Sequence, residues 1–157
     1  MKADQLTPQH ATSWAGYQRM RARLAERLNR DLARQTGLSE ADFEILVALT
    51  ELPEEPVRAL ALRCGLEWEK SRLSHQLRRM EQRGLVTREH CAEDNRGTVV
   101  RITEAGRTLA EEAKRVHDEA VLRYVCGALT PDQVVALGEI AEAVLTKLDE
   151  PEILSSL

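Results

Sequence analysis

Reactive side chains are few in this 157-residue chain, and their spacing assembles no obvious catalytic group. His10, His75, His90 and His117 are scattered, with no nucleophile beside a base and no Gly-rich phosphate loop. Glu111 and Glu112 are neighbours on a predicted helix, so they project in different directions and make a poor acid/base pair. His90-Cys91 offers two metal ligands where a site needs three or four. Cys64, Cys91 and Cys126 are odd in number and far apart, which suits neither a disulfide framework nor a zinc knuckle. Cys64 is expected to be buried. Cys91, near His90 and Arg88, is the best candidate for an exposed reactive thiol. These residues point to no enzyme, no cofactor and no metal.

The chemistry that does stand out is cationic. The net charge is −4, yet Lys70–Arg88 holds six basic residues (Lys70, Arg72, Arg78, Arg79, Arg83, Arg88) against Glu81 alone. Another six arginines lie between Arg19 and Arg34, against Glu26 and Asp31. Beyond Ile102 the balance reverses, with five basic residues against eleven acids. Polyanion affinity follows local potential, because each phosphate contact releases counterions where the Lys or Arg stands. The middle segment is therefore the candidate binding face, although arginine-rich solvated helices would read the same way by charge alone. An aromatic content of 3% argues against a stacking surface for single strands.

Elements that could position these cations follow from hydrophobic periodicity. Tyr17, Met20, Leu24, Leu28 and Leu32 predict a helix over about Thr12–Gln35, stopped by Gly37. Ser39 caps a second helix through Phe43, Leu46, Val47 and Leu49, after which Pro53 and Pro56 break the chain. A short helix is expected over Val57–Cys64, with Leu60 and Ala61 inward and Gly65 as its stop. Leu73, Leu77 and Met80 line one side of the next helix, about Glu69–Gln82. Leu85–Arg88 and Thr98–Ile102 are β-branched runs suited to two strands, joined by the polar tip Glu93–Gly97. Thr103 opens a helix carrying Leu109, Ala113, Val116, Ala120 and Tyr124. Thr130-Pro131-Asp132-Gln133 opens the last, with Val134, Leu137, Ala141, Val144 and Leu148.

Helix, short turn and second helix is the helix-turn-helix pattern, whose second helix enters the DNA major groove. With Leu73, Leu77 and Met80 inward, Ser71, His75, Arg78, Arg79 and Gln82 face out, flanked by Arg72 and Ser74. That arc contains no acid, and its groups suit base edges and phosphates. The hairpin can add a minor-groove contact through Arg96. Asp94 is placed to pin the guanidinium of Arg96 or Arg88, or serves only as a turn residue. The candidate DNA contacts are Lys70, Ser71, Arg72, Ser74, His75, Arg78, Arg79, Arg88 and Arg96, with Asp94 supporting the hairpin.

Leu66-x-Trp68-Glu69-Lys70-Ser71-Arg72-Leu73-Ser74, then Met80-Glu81-x-x-Gly84-Leu85-Val86-x-Arg88, resembles the recognition helix and first wing strand of the MarR family. Asp94-x-Arg96-Gly97 and Ile102-Thr103-x-x-Gly106 resemble its wing motif and the start of its fifth helix. The resemblance runs from about Trp14 to Leu148. It implies a mainly α fold, a winged helix-turn-helix whose N- and C-terminal helices form a dimerisation unit. The expected division is 1–36 with 104–157 for dimerisation and 37–103 for DNA binding. It also implies a homodimeric regulator, commonly a repressor released by a small aromatic or anionic ligand, with Arg96 as the minor-groove contact. Peroxide-sensing members carry a cysteine in the first helix, and this chain has none there.

Dimerisation has separate physical support. The stripes Tyr17–Leu32 and Val134–Leu148 lie at opposite ends of the chain, and isolated amphipathic helices are marginal in water. A two-fold pair burying both would set two recognition helices about 34 Å apart, on an inverted-repeat site in double-stranded DNA. Trp14, Tyr17, Met20 and Phe43 are the candidate lining of a ligand pocket, or else ordinary core. Met1-Lys2-Ala3-Asp4-Gln5 has no signal-peptide apolar run, and no segment approaches the roughly eighteen apolar residues that span a bilayer, which predicts a cytosolic protein without a membrane partner. Two other readings compete with the regulator: a winged-helix protein–protein module without DNA binding, and a thiol-based redox sensor using Cys91.

Overall fold

In the computed structural model the described residues are 5–52, 56–90 and 97–150. Six α-helices alternate with three short strands in the order α1 (Pro8–Thr36), α2 (Glu40–Glu51), β1 (Val57–Arg58), α3 (Ala59–Leu66), α4 (Lys70–Gln82), β2 (Val86–His90), β3 (Thr98–Ile102), α5 (Glu104–Val121) and α6 (Pro131–Asp149). The backbone contacts divide into two compact units, with the boundary between Asp118 and Glu119. In the first, α2, α3, α4 and the sheet enclose a core that includes Ile45, Leu46, Leu62, Leu77, Met80 and Val100. This is the mainly helical winged helix-turn-helix expected from the sequence.

Local signals account for most boundaries. Ser39 and Asp42 form a capping box at the start of α2, and Thr130 and Gln133 form another at α6. Gly37 ends α1 in the left-handed conformation at φ 72°, where a side chain would be strained. Helix α1 starts four residues before the expected Thr12, because Thr7 caps it and Pro8 fits its first turn.

The segment after Pro56 departs from expectation. Val57–Arg58 is a strand paired to Val99–Val100 of β3, giving a three-stranded antiparallel sheet in the order β1-β3-β2. Starting α3 two residues later turns Leu62 into the core and leaves Leu60 and Ala61 exposed, so those two do not face inward. Cys64 is likewise exposed rather than buried. Gly65 lies within α3; the helix instead stops at Glu67, in the left-handed conformation at φ 56°. Pro53, Cys91, Asp94, Asn95 and Arg96 lie outside the described residues.

The junction between strands and α5 is tightly built. The Thr103 hydroxyl donates to Gly84 O at 2.6 Å, and its oxygen accepts the Gly106 N–H at 3.0 Å. A Cβ on Gly106 would come within 2.1 Å of the Leu85 carbonyl oxygen. Since that neighbour is backbone, the helix could only retreat. Gly106→Ala is therefore expected to lower unfolding free energy by about 1–3 kcal/mol in urea titration, the usual range for overpacking.

Candidate nucleic-acid interface

Helix α4 is built to show one face and hide the other. Leu73, Leu77 and Met80 are 3%, 2% and 0% exposed, as their spacing of four and three requires. The helix packs against α2 and β2. Lys70, Ser71, Arg72, Ser74, His75, Arg78, Arg79 and Gln82 are all exposed. Glu81, the one acid in this helix, turns away from that arc toward Arg88. Lys70, Arg78 and Arg79 make no ion pair with the described residues, so their charge is available to a polyanion.

Two of the expected contacts are restrained within the chain. Arg72 lays its guanidinium over the Trp68 ring, 3.8 Å from the centroid, in the turn between α3 and α4. Arg88 donates from Nη2 and Nε to Glu81 Oε1 at 3.0 and 3.3 Å, and its backbone N–H donates to Oε2 at 2.8 Å. The Arg88 guanidinium, and then its N–H, hold the Glu81 carboxyl below the usual range. Glu81 thus restrains the Arg88 guanidinium, while Asp94, the partner expected from the sequence, lies outside the described residues.

A cleft of about 550 Å³ opens between α3, α4 and the sheet, with Arg58, Arg63, Lys70, Ser74, Arg88 and His90 among its lining residues. No acid lines it. Four cations around one concavity focus a positive potential where a phosphate backbone would run. Arg58 and Arg63 stand outside the cationic segment Lys70–Arg88 that the sequence marks, and only the fold brings them beside Lys70 and Arg88.

None of the four proposed pocket residues lines that cleft. Trp14 and Tyr17 pack ring on ring at 5.2 Å but are 54% and 45% exposed, and Met20 is 50% exposed. Phe43 packs against the core and the ring of His117, 5.1 Å away. Among the described residues no group of three His, Cys, Asp or Glu side chains could hold a metal ion.

Asp42, in the first turn of α2, is bonded to three other residues. It is 3% exposed. Its Oδ2 accepts from Ser39 N at 2.9 Å and Arg83 Nη1 at 2.8 Å, and its Oδ1 accepts from Gln76 Nε2 at 2.6 Å. Burial alone would push this carboxyl up. The Ser39 N–H, the Arg83 guanidinium and the Ser39 hydroxyl outweigh burial and hold it below 3.8.

A helix with an exposed, acid-free arc seated beside a stranded hairpin defines a winged helix-turn-helix DNA-binding protein. Comparison with known proteins narrows the class. The MarR family model matches residues 38–98. Sco3205, a MarR family transcriptional regulator from Streptomyces coelicolor solved in complex with DNA, superposes with a TM-score of 0.84 at 33% identity, covering 95% of this chain and 97% of that one. CouR from Rhodococcus jostii RHA1, solved bound to p-coumaroyl-CoA, gives a TM-score of 0.66 at 28% identity over 85% and 89% of the two chains. The uncharacterised HTH-type transcriptional regulator YdgJ of Bacillus subtilis is 31% identical over 80 residues, 51% of this chain and 48% of that protein, so the match spans about half of that relative. The chain belongs to the MarR family: it is a DNA-binding transcriptional regulator, not an enzyme.

The carboxylate contacts of Asp42 have a pH signature. Its ionised form is favoured in the folded chain, so its stabilisation is complete above the unfolded value near 3.8 and fades as pH falls through the lower folded value. Asp42→Asn should cost about 1–3 kcal/mol at neutral pH, and the gap to the unsubstituted protein should close below roughly pH 4, measured by urea unfolding across pH.

Proposed function

We propose that this regulator acts as a homodimer on an inverted-repeat operator, repressing nearby promoters until a small aromatic or anionic effector releases it. The observation that carries the dimer is α6. The helix is fully formed, yet Val134, Leu137, Ile140, Val144, Leu145 and Leu148 are 39–72% exposed. Trp14, Tyr17 and Met20 leave a similar apolar stripe on the first half of α1. Exposed stripes of that length cost solubility unless covered, and a second copy covers both symmetrically. Two copies of α4 then face one side, which suits a two-fold DNA site.

Within each half-site, Ser71, His75 and Arg79 are assigned to base edges and Lys70 and Arg78 to phosphates. Ser74 stands beside them, with Arg72 and Arg88 held at the margin by Trp68 and Glu81. Arg96 reaches the minor groove, with Asp94 as its support. Trp14, Tyr17, Met20 and Phe43 would line the effector pocket once the dimer closes over them; the acyl-CoA bound to CouR supports a ligand-responsive reading. The cytosol, where DNA is available, is the expected compartment. No described helix is long and apolar enough to cross a membrane.

Leu137→Glu combined with Val144→Glu is expected to convert a sedimenting dimer to single copies and to abolish binding to a selected inverted repeat. A dimer that survives both changes would overturn the assignment of α6. Among DNA contacts, Arg79→Ala should cost about 1–3 kcal/mol and relax base preference at one position. Arg78→Ala should weaken all duplexes alike and reduce the salt slope by about one. If arginine-to-glutamate changes at both positions leave duplex binding intact, the winged domain serves protein assembly instead.

A further inference from the structure

Asp42 is the one buried polar or charged side chain among the described residues, and it takes no part in the surface offered to DNA. What it does is hold α4. Through Oδ1 it accepts from Gln76, in the middle of the helix, and through Oδ2 from Arg83, at the helix end. These two grips are seven residues apart, about 10 Å along the axis at 1.5 Å per residue. The second nitrogen of Arg83 donates to the carbonyl of Gly37, the residue that terminates α1, at 3.2 Å. The carboxylate therefore joins the first turn of α2 to the middle and end of α4, and Arg83 extends the link to the end of α1.

The geometry matters because apolar contacts are not directional. Leu73, Leu77 and Met80 fix the depth of α4 but tolerate small rotations about its axis. Hydrogen bonds at 2.6–2.8 Å to a buried carboxylate do not. Rotation of α4 is also the variable to which base reading is most sensitive, since short side chains such as Ser71 and His75 must reach base edges together. Long, flexible Lys and Arg side chains on phosphates absorb the same rotation at little cost.

We propose that Asp42 is the positioning residue of the recognition helix, acting through Gln76 and Arg83 to set the rotation of α4 against α1 and α2 and thereby its base selectivity. The proposal rests on the reading of α4 as the base-contacting helix. It assigns Arg83 to this internal grip rather than to DNA, although its side chain is 43% exposed.

The test compares the full-length protein with R83Q, D42N and the double variant. Each is titrated against a duplex selected by the unsubstituted protein and a scrambled duplex of equal length, over a salt series. R83Q is expected to lower the selected-to-scrambled affinity ratio about tenfold, comparable to losing one base contact, with the scrambled affinity and its salt slope unchanged. D42N should lower it at least as far, because it weakens both grips, and the double variant should be no worse than D42N alone, because the Arg83 grip is already lost with the carboxylate. An unchanged ratio in R83Q would overturn the proposal. So would equal weakening on both duplexes with a shallower salt slope, which would make Arg83 a phosphate contact. Should D42N fail to fold, the exposed position of Arg83 leaves R83Q to decide the matter. If the unsubstituted protein enriches no sequence at all, the operator reading falls and this proposal with it, an outcome distinct from an unaffected R83Q.

Discussion

Burial of Leu73, Leu77 and Met80 is the constraint from which the rest of the molecule follows. Each large apolar side chain removed from water contributes about 1.5–3 kcal/mol, so turning α4 over would forfeit most of the gain from this part of the core. With those three fixed inward, helical geometry leaves no choice about which residues face out. The outward arc is then an obligatory consequence of the core, and its lack of acid leaves it with an unopposed positive potential. Polar contacts refine this arrangement without creating it. Glu81 holds Arg88 of the first hairpin strand, Trp68 holds Arg72, and Asp42 bonds α4 to α2.

Much of this was legible in the residue pattern. The spacing of Leu73, Leu77 and Met80 gave the buried face, and Ser39 and Thr130 marked helix starts because their hydroxyls satisfy otherwise unpaired N–H groups. The error over Val57–Cys64 has a plain cause. Val57-Arg58 is too short to show a strand period, and its pairing partner Val99–Val100 is distant in sequence. Gly65 misled in the same region: a glycine suits a helix stop, but here Glu67 takes the left-handed conformation. Asp42 stands in the first turn of α2, where an acid suits any helix start, so its local position signals nothing more. Its bonds to Gln76 and Arg83 span 34 and 41 residues, and no short pattern encodes them.

Charge is segregated along the chain in a way that fits a regulator with one polyanion-facing surface. The cleft beside α4 gathers Arg58, Arg63, Lys70 and Arg88, with no acid among its described lining residues. The acids that make the whole chain negative are concentrated beyond Ile102. A protein with this distribution gains local attraction to phosphates without the indiscriminate binding that a uniformly basic surface would bring.

The strand order β1-β3-β2 leaves two outer borders on the small sheet. One is a strand of two residues, too short to template another chain. The other, Val86–His90, carries Arg88, Glu89 and His90 and is exposed at Thr87, Glu89 and His90. Charged or abbreviated borders resist edge-to-edge zippering, the common route from native sheets to aggregates. In the proposed dimer, association falls to the helices, which can pair and stop at two, whereas an open sheet border would keep recruiting further copies.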